Sequence, residues 1–161
     1  MKERGEGIGA FTLYKADPGR FAAAARERMG NPVLVMSMYR KSPGPAGKIK
    51  NMLGDYPEAG RRVAREQKLA LIDLHALSAQ FHEALGPEKI GAAFQDATHR
   101  NNYGSYELAK CVVARISSAG IPLANHPAQD VPPFDPAHPD PVEGLRMAVS
   151  PRTGSLKPDG S

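Results

Sequence analysis

Two short, unbroken apolar runs constrain this chain most: Pro32-Val33-Leu34-Val35-Met36-Ser37-Met38 and Leu69-Ala70-Leu71-Ile72-Asp73. Neither alternates polar with apolar residues, so neither suits a strand with one wet face. Both read as strands buried on two faces, as in a parallel sheet covered by helices. The flanking segments carry helical signals. Asp17-Pro18 reads as an N-cap followed by proline at the first helical position, with Phe21, Ala24, Ala25 and Arg28 after it and Gly30 as the stop. Residues 39–52 form a loop rich in Pro, Gly and Lys. A second helix starts at Asp55, holds Pro57 in its first turn and runs to about Gln67. After the second strand, Leu74, Leu77, Phe81 and Leu85 form one stripe of an amphipathic helix. Gly86-Pro87 breaks it, and residues 88–94 add one or two turns. Residues 96–104 read as a polar loop. A helix over residues 105–116 then presents Leu108, Ala109, Val112, Val113 and Ile116 on one face, and Gly120 closes it.

Helix, strand, helix, strand and two further helices is the order of an α/β doubly wound fold with parallel strands. Two strands are too few to bury both faces of such a sheet, and they leave an edge unpaired. The expectation is therefore part of a three-layer fold, the second half of a five-stranded sheet. Nine of the fifteen prolines follow residue 120, with no sustained periodicity. The chain divides into a body over residues 1–125 and a Pro-rich extended tail over 126–161, which wraps the body or stays mobile.

An apolar share of 41% and a charged share of 24% are those of an ordinary soluble globular protein. No apolar run is long enough for a membrane span, and no apolar stretch follows the charged start to make a secretory signal. The cellular address stays open, as does the oligomeric state. One cysteine, Cys111, excludes an intrachain disulfide and a thiolate zinc site; its apolar neighbours make it a buried structural thiol. The net charge of +4 is spread along the chain, with Arg61, Arg62 and Arg65 on one helix and Lys41, Lys48 and Lys50 in one loop. No aromatic residues interleave with these cations to stack bases. A solvated basic surface, and no nucleic-acid partner, follows.

The chemistry-bearing stretch is Phe94-Gln95-Asp96-Ala97-Thr98-His99-Arg100-Asn101-Asn102-Tyr103-Gly104-Ser105. A carboxylate and an imidazole held close by a tight loop can divide one task. The carboxylate accepts from one ring nitrogen and fixes the tautomer, leaving the other nitrogen to take a proton from a hydroxyl. By itself Asp-x-x-His is a common surface turn. Here it leads through Asn101 and Gly104 into an apolar helix, and Asp-x-Thr-His-x-Asn-x-x-Gly resembles the last block of the SGNH (GDSL-type) hydrolases. Asn31-Pro32-Val33-Leu34-Val35, Leu53-Gly54-Asp55-Tyr56-Pro57 and Leu71-Ile72-Asp73-Leu74 narrow the resemblance to members like the rhamnogalacturonan acetylesterases. It runs from about Ala10 to Pro141.

That resemblance implies a flavodoxin-like SGNH fold, ester hydrolysis by a Ser-His-Asp mechanism, no cofactor or metal, and an acetylated polysaccharide or oligosaccharide as substrate. It makes Asp96 the triad carboxylate and His99 the general base. The family's Gly-Asp-Ser nucleophile block and its oxyanion-hole blocks have no counterpart here and would precede Met1, so the chain alone is expected to be inactive. The rival readings are an inactive truncated remnant and a basic binding module for an anionic partner. Among other residues, His75 and His82 lie two helical turns apart, too few ligands for zinc. Asp73 suits an N-cap for the helix that follows it, and Asn101 suits ordering of the loop beside His99. His126 and His138 receive no role.

Overall fold

The computed structural model describes residues 9–126 and 131–145; the charged start and the remaining parts of the Pro-rich segment lie outside the described residues. Both apolar runs form strands. β1, Val33–Val35, lies parallel to β2, Ala70–Ile72, with Val33 opposite Ala70, Leu34 opposite Leu71 and Val35 opposite Ile72. The Met36 amide extends the ladder by donating to the Ile72 carbonyl at 3.0 Å. Four α-helices accompany the pair among the described residues: α1, Leu13–Glu27; α2, Tyr56–Glu66; α3, Leu74–Lys89; and α4, Asn102–Ser118. The result is a mixed α/β protein with a small parallel sheet.

α2 starts after Asp55 with Pro57 in its first turn, as the sequence implies, and buries Ala59, Val63 and Ala64. α1 departs from expectation at both ends. It begins at Leu13, placing Pro18 inside the helix rather than at its first position. The start is set by Thr12, whose amide and hydroxyl both donate to the Gly9 carbonyl, and whose own carbonyl takes the Ala16 amide. Pro18, the sixth residue of α1, lies past the first turn and forgoes the intrahelical bond that an amide there would make to the Tyr14 carbonyl. At the other end Met29, not Gly30, takes the left-handed conformation, with φ 58°, and the Gly30 amide folds back onto the Ala25 carbonyl at 2.9 Å.

α3 begins as Asp73 caps it, Oδ1 accepting from the Ala76 amide at 3.0 Å, and Gly86 breaks it with φ 71°. Its inward face is rotated from the expected leucine stripe. Leu74 and Phe81 are buried, but so are His75, Ser78 and His82, while Leu77 and Leu85 are only half-buried. Ser78 accounts for this: its hydroxyl donates to the His75 carbonyl and accepts from the Tyr39 amide, tying the helix to the segment after β1. A 3₁₀ turn, Ile90–Ala93, follows α3. The main core joins α3, this turn and α4 through Phe81, Ile90, Phe94, Tyr103, Leu108 and Cys111.

Part of the Pro-rich segment packs on that core. Phe134, Val142 and Leu145 lie against it, and the Tyr103 hydroxyl donates to the Asp140 carbonyl at 2.9 Å. The Lys110 ammonium sits between the fully buried Glu107 at 2.8 Å and Asp140 at 2.7 Å. A buried carboxylate needs such a partner to be tolerated. No described helix is long and apolar enough to cross a membrane.

Candidate active site

The loop between the 3₁₀ turn and α4 holds Asp96 and His99. It leaves and returns through an antiparallel bridge between Phe94 and Arg100, reinforced by the Gln95 amide on the His99 carbonyl at 2.9 Å. At its tip Asp96 Oδ1 accepts from the Thr98 amide at 2.6 Å and the His99 amide at 2.7 Å. Asp96 Oδ2 meets His99 Nδ1 at 2.7 Å. The structure therefore brings the two sequence-selected residues together. Both side chains are exposed, His99 at 73%. The His99 amide, the imidazole and the Thr98 amide hold the Asp96 carboxyl well below the usual carboxylate range. An ionised Asp96 accepting from Nδ1–H leaves the lone pair on Nε2, the nitrogen a general base uses.

Two anchors fix this loop to the body. Asn101 caps α4 through Oδ1, which accepts from the Gly104 amide at 2.9 Å, while its Nδ2 donates to the Ala92 carbonyl at 2.6 Å. α4 therefore starts three residues earlier than its apolar face suggests. The second anchor, Arg100, was not legible as such. Its guanidinium lies 3.7 Å above the Phe94 ring centroid and donates to the Tyr39 carbonyl. Burial lowers the guanidinium to about 10. The only sequence signal was its position between His99 and Asn101.

Tyr39 lies just past β1, and the Lys41 amide donates to the Ala97 carbonyl at 3.2 Å. The dyad is thus placed beside the segment leaving the C-terminal end of a parallel strand, where α/β proteins collect their ligand-binding loops.

Asp73 serves as cap and ion-pair partner, with Arg61 Nε 2.8 Å from Oδ2. Burial alone would raise its carboxyl, but Arg61 and the Ala76 amide hold it low. His75 stacks on the Tyr39 ring at 3.9 Å, and His82 is wholly inside the core, beside Phe81 and Phe94. Among the described residues no group of three His, Cys, Asp or Glu side chains could hold a metal ion. Cys111 is buried, and burial pushes its thiol up to about 11, which makes it a poor nucleophile. No serine hydroxyl among the described residues is bonded to His99; those of Ser42, Ser78, Ser117 and Ser118 donate to main-chain carbonyls.

A carboxylate-bonded imidazole beside the C-terminal end of a parallel strand is an arrangement that can serve base-assisted chemistry. Comparison with known proteins narrows that class. Over 139 residues the chain is 35% identical to the rhamnogalacturonan acetylesterase RhgT of Bacillus subtilis (strain 168), which covers 77% of this chain and 60% of the relative. Over 119 residues it is 33% identical to the probable rhamnogalacturonan acetylesterase YesY of the same strain, covering 70% and 54%. The chain is a homologue of the rhamnogalacturonan acetylesterases, matching their C-terminal parts. It spans little more than half the length of these curated relatives. No family model and no solved structure matches it.

Proposed function

We propose that this chain carries the general-base half of a carbohydrate O-acetylesterase of SGNH type. In the complete enzyme a serine attacks an acetyl ester on a rhamnogalacturonan-like polysaccharide. His99 Nε2 takes the serine proton and later returns it to the departing sugar oxygen. Asp96 holds the ring in the required tautomer and stabilises the imidazolium that forms. The observation that carries this reading is the 2.7 Å contact between Asp96 Oδ2 and His99 Nδ1, in a loop anchored next to the end of β1. The identity to acetylesterases supports the reaction and substrate class. The nucleophile and oxyanion donors come from polypeptide corresponding to the part of the relatives that this chain does not span. That polypeptide also supplies the strands that complete a doubly wound, three-layer sheet on the free edge of β1.

The test is hydrolysis of p-nitrophenyl acetate by the 161-residue chain alone and by the chain combined with such an upstream half. Turnover is expected only in the combined sample. It should fall by roughly 10²–10⁴ with His99→Ala, the usual worth of a general base. Robust turnover by the lone chain that survives His99→Ala would overturn the assignment.

A further inference from the structure

Residues 131–145 run along one side of α4, against the direction of the helix. Tyr103, Glu107, Lys110, Ala114 and Ser117 recur at helical spacing, which stacks them in a single stripe. Val131, Pro132 and Pro133 border Ala114 and Ser117 at the C-terminal end of that stripe. Phe134 comes next, its ring centroid 4.2 Å from the Lys110 ammonium. Asp140 then serves three successive members of the stripe with three different groups. Its Oδ2 meets Lys110 Nζ at 2.7 Å, its amide donates to Glu107 Oε2 at 3.3 Å, and its carbonyl accepts from the Tyr103 hydroxyl at 2.9 Å. Beyond it Val142 packs on the core, beside Leu85 and Lys89 of α3.

Tyr103, where this series of contacts ends, belongs to the turn of α4 that receives the dyad loop. The same turn is tied to the polypeptide that enters the loop. Asn101 Nδ2 donates to the Ala92 carbonyl, and the Asn101 amide donates to the Ala93 carbonyl at 3.3 Å. Gly104 sits so close to that Ala93 oxygen that a methyl would overlap it. The Asp96–His99 loop therefore hangs between two fixed points, Ala93 and Asn101, and their relation depends on how the first turn of α4 is seated. A loop keeps one geometry only while its ends are held, because freed backbone regains conformational entropy. We propose that residues 131–145 are a strap that seats this turn and so keeps the His99 ring on Asp96, with Asp140 as a positioning residue. The weight of the strap in ester hydrolysis rests on the acetylesterase reading above; its hold on the loop does not. The proposal gives a use to a segment whose composition signals only an extended chain.

The test uses the intact chain, labelled with ¹⁵N, and reads the loop directly by NMR. No ester chemistry is involved, so a failed acetylesterase reading leaves the outcome untouched. Two variants loosen the strap. Phe134→Ala/Asp140→Ala removes the ring and the carboxylate that meet Lys110, and the milder Tyr103→Phe removes only the hydroxyl that the strap accepts. Val63→Ala, in the buried face of α2, weakens the fold away from the strap and serves as control. Exchange of the Thr98 and His99 amides, both bonded to Asp96, is compared with exchange of the α2 amides. Relative to α2 it should accelerate about tenfold in the double variant and about threefold in Tyr103→Phe, and stay level in Val63→Ala. The ¹⁵N shifts of the His99 ring, recorded in alkaline buffer and assigned with His99→Gln, give the tautomer. The parent chain should carry the proton on Nδ1, where Asp96 accepts it, and the double variant should move toward Nε2–H. If the double variant does not fold, Tyr103→Phe alone decides. Unchanged Thr98 and His99 exchange in the strap variants, an unmoved tautomer in a folded double variant, or the same relative acceleration in Val63→Ala would each overturn the proposal.

Discussion

Asp135 Oδ1 accepts from the Ala137 amide and Oδ2 meets His138 Nδ1 at 2.8 Å, the same local turn that joins Asp96 to His99. The spacing Asp-x-x-His makes a dyad wherever the backbone turns, so the spacing was legible but the distinction between the two copies lies elsewhere. Asp96 and His99 sit between the Phe94–Arg100 bridge and the Asn101 cap, against the segment leaving β1. Arg100 was the unreadable part. An arginine in a polar loop reads as solvent-exposed, and only Phe94 and the distant Tyr39 carbonyl make its burial possible. Arg100→Met should keep the Asp96–His99 contact but unpin the loop. We expect a loss of about 2 kcal/mol for the cation–π contact and the charged hydrogen bond together. Amide exchange at Thr98 and His99 should accelerate more than exchange in α4. Unchanged exchange at those two amides would show that Arg100 does not hold the loop.

The two strands were readable because an unbroken apolar run has few alternatives once helices flank it. The start of α1 was not, since Asp17-Pro18 is a good local signal that the Gly9–Thr12 turn overrides. The buried face of α3 was half readable: Leu74 and Phe81 follow the helical period, but nothing local says that His75, Ser78 and His82 share it. Gly104 sets how α4 meets the rest, because a methyl there would overlap the Ala93 carbonyl oxygen. Gly104→Ala should cost roughly 1–3 kcal/mol in urea denaturation, the usual penalty for overpacking a close contact. Burial, aided by the Arg100 charge, lowers His82 to about 3 from 6.5. A buried imidazole of this kind stabilises the fold fully above 6.5. That contribution fades as pH falls from 6.5 toward about 3, because the unfolded chain then binds the proton that the folded one refuses. Stability should therefore drop on acidification, by at most about 1.4 kcal/mol per pH unit from this group. His82→Leu should flatten that part of the profile, and an unchanged slope would show that His82 is not its source.

β1 pairs with β2 on one edge only among the described residues, and Val35 stays 49% exposed in what should be a buried strand type. An apolar groove of about 310 Å³ opens beside it, lined by Phe21, Val33, Leu34 and Leu69. The sequence already implied this shortfall through its strand count. The clamp of residues 134–145 onto α4 was less legible, because prolines hide periodicity and Glu107 gives no sign of its buried pairing with Lys110. A chimera tests the role of the dyad at the level of the whole enzyme: the part of RhgT that this chain does not span, fused to the chain, with acetate release from acetylated rhamnogalacturonan as the readout. The fusion should release acetate, and Asp96→Asn and His99→Ala should each lower the rate by about 10²–10⁴. His138→Ala, which removes the look-alike dyad, should leave it intact. An active fusion that is indifferent to His99→Ala, or one that fails only with His138→Ala, would contradict the assignment of His99 as the base.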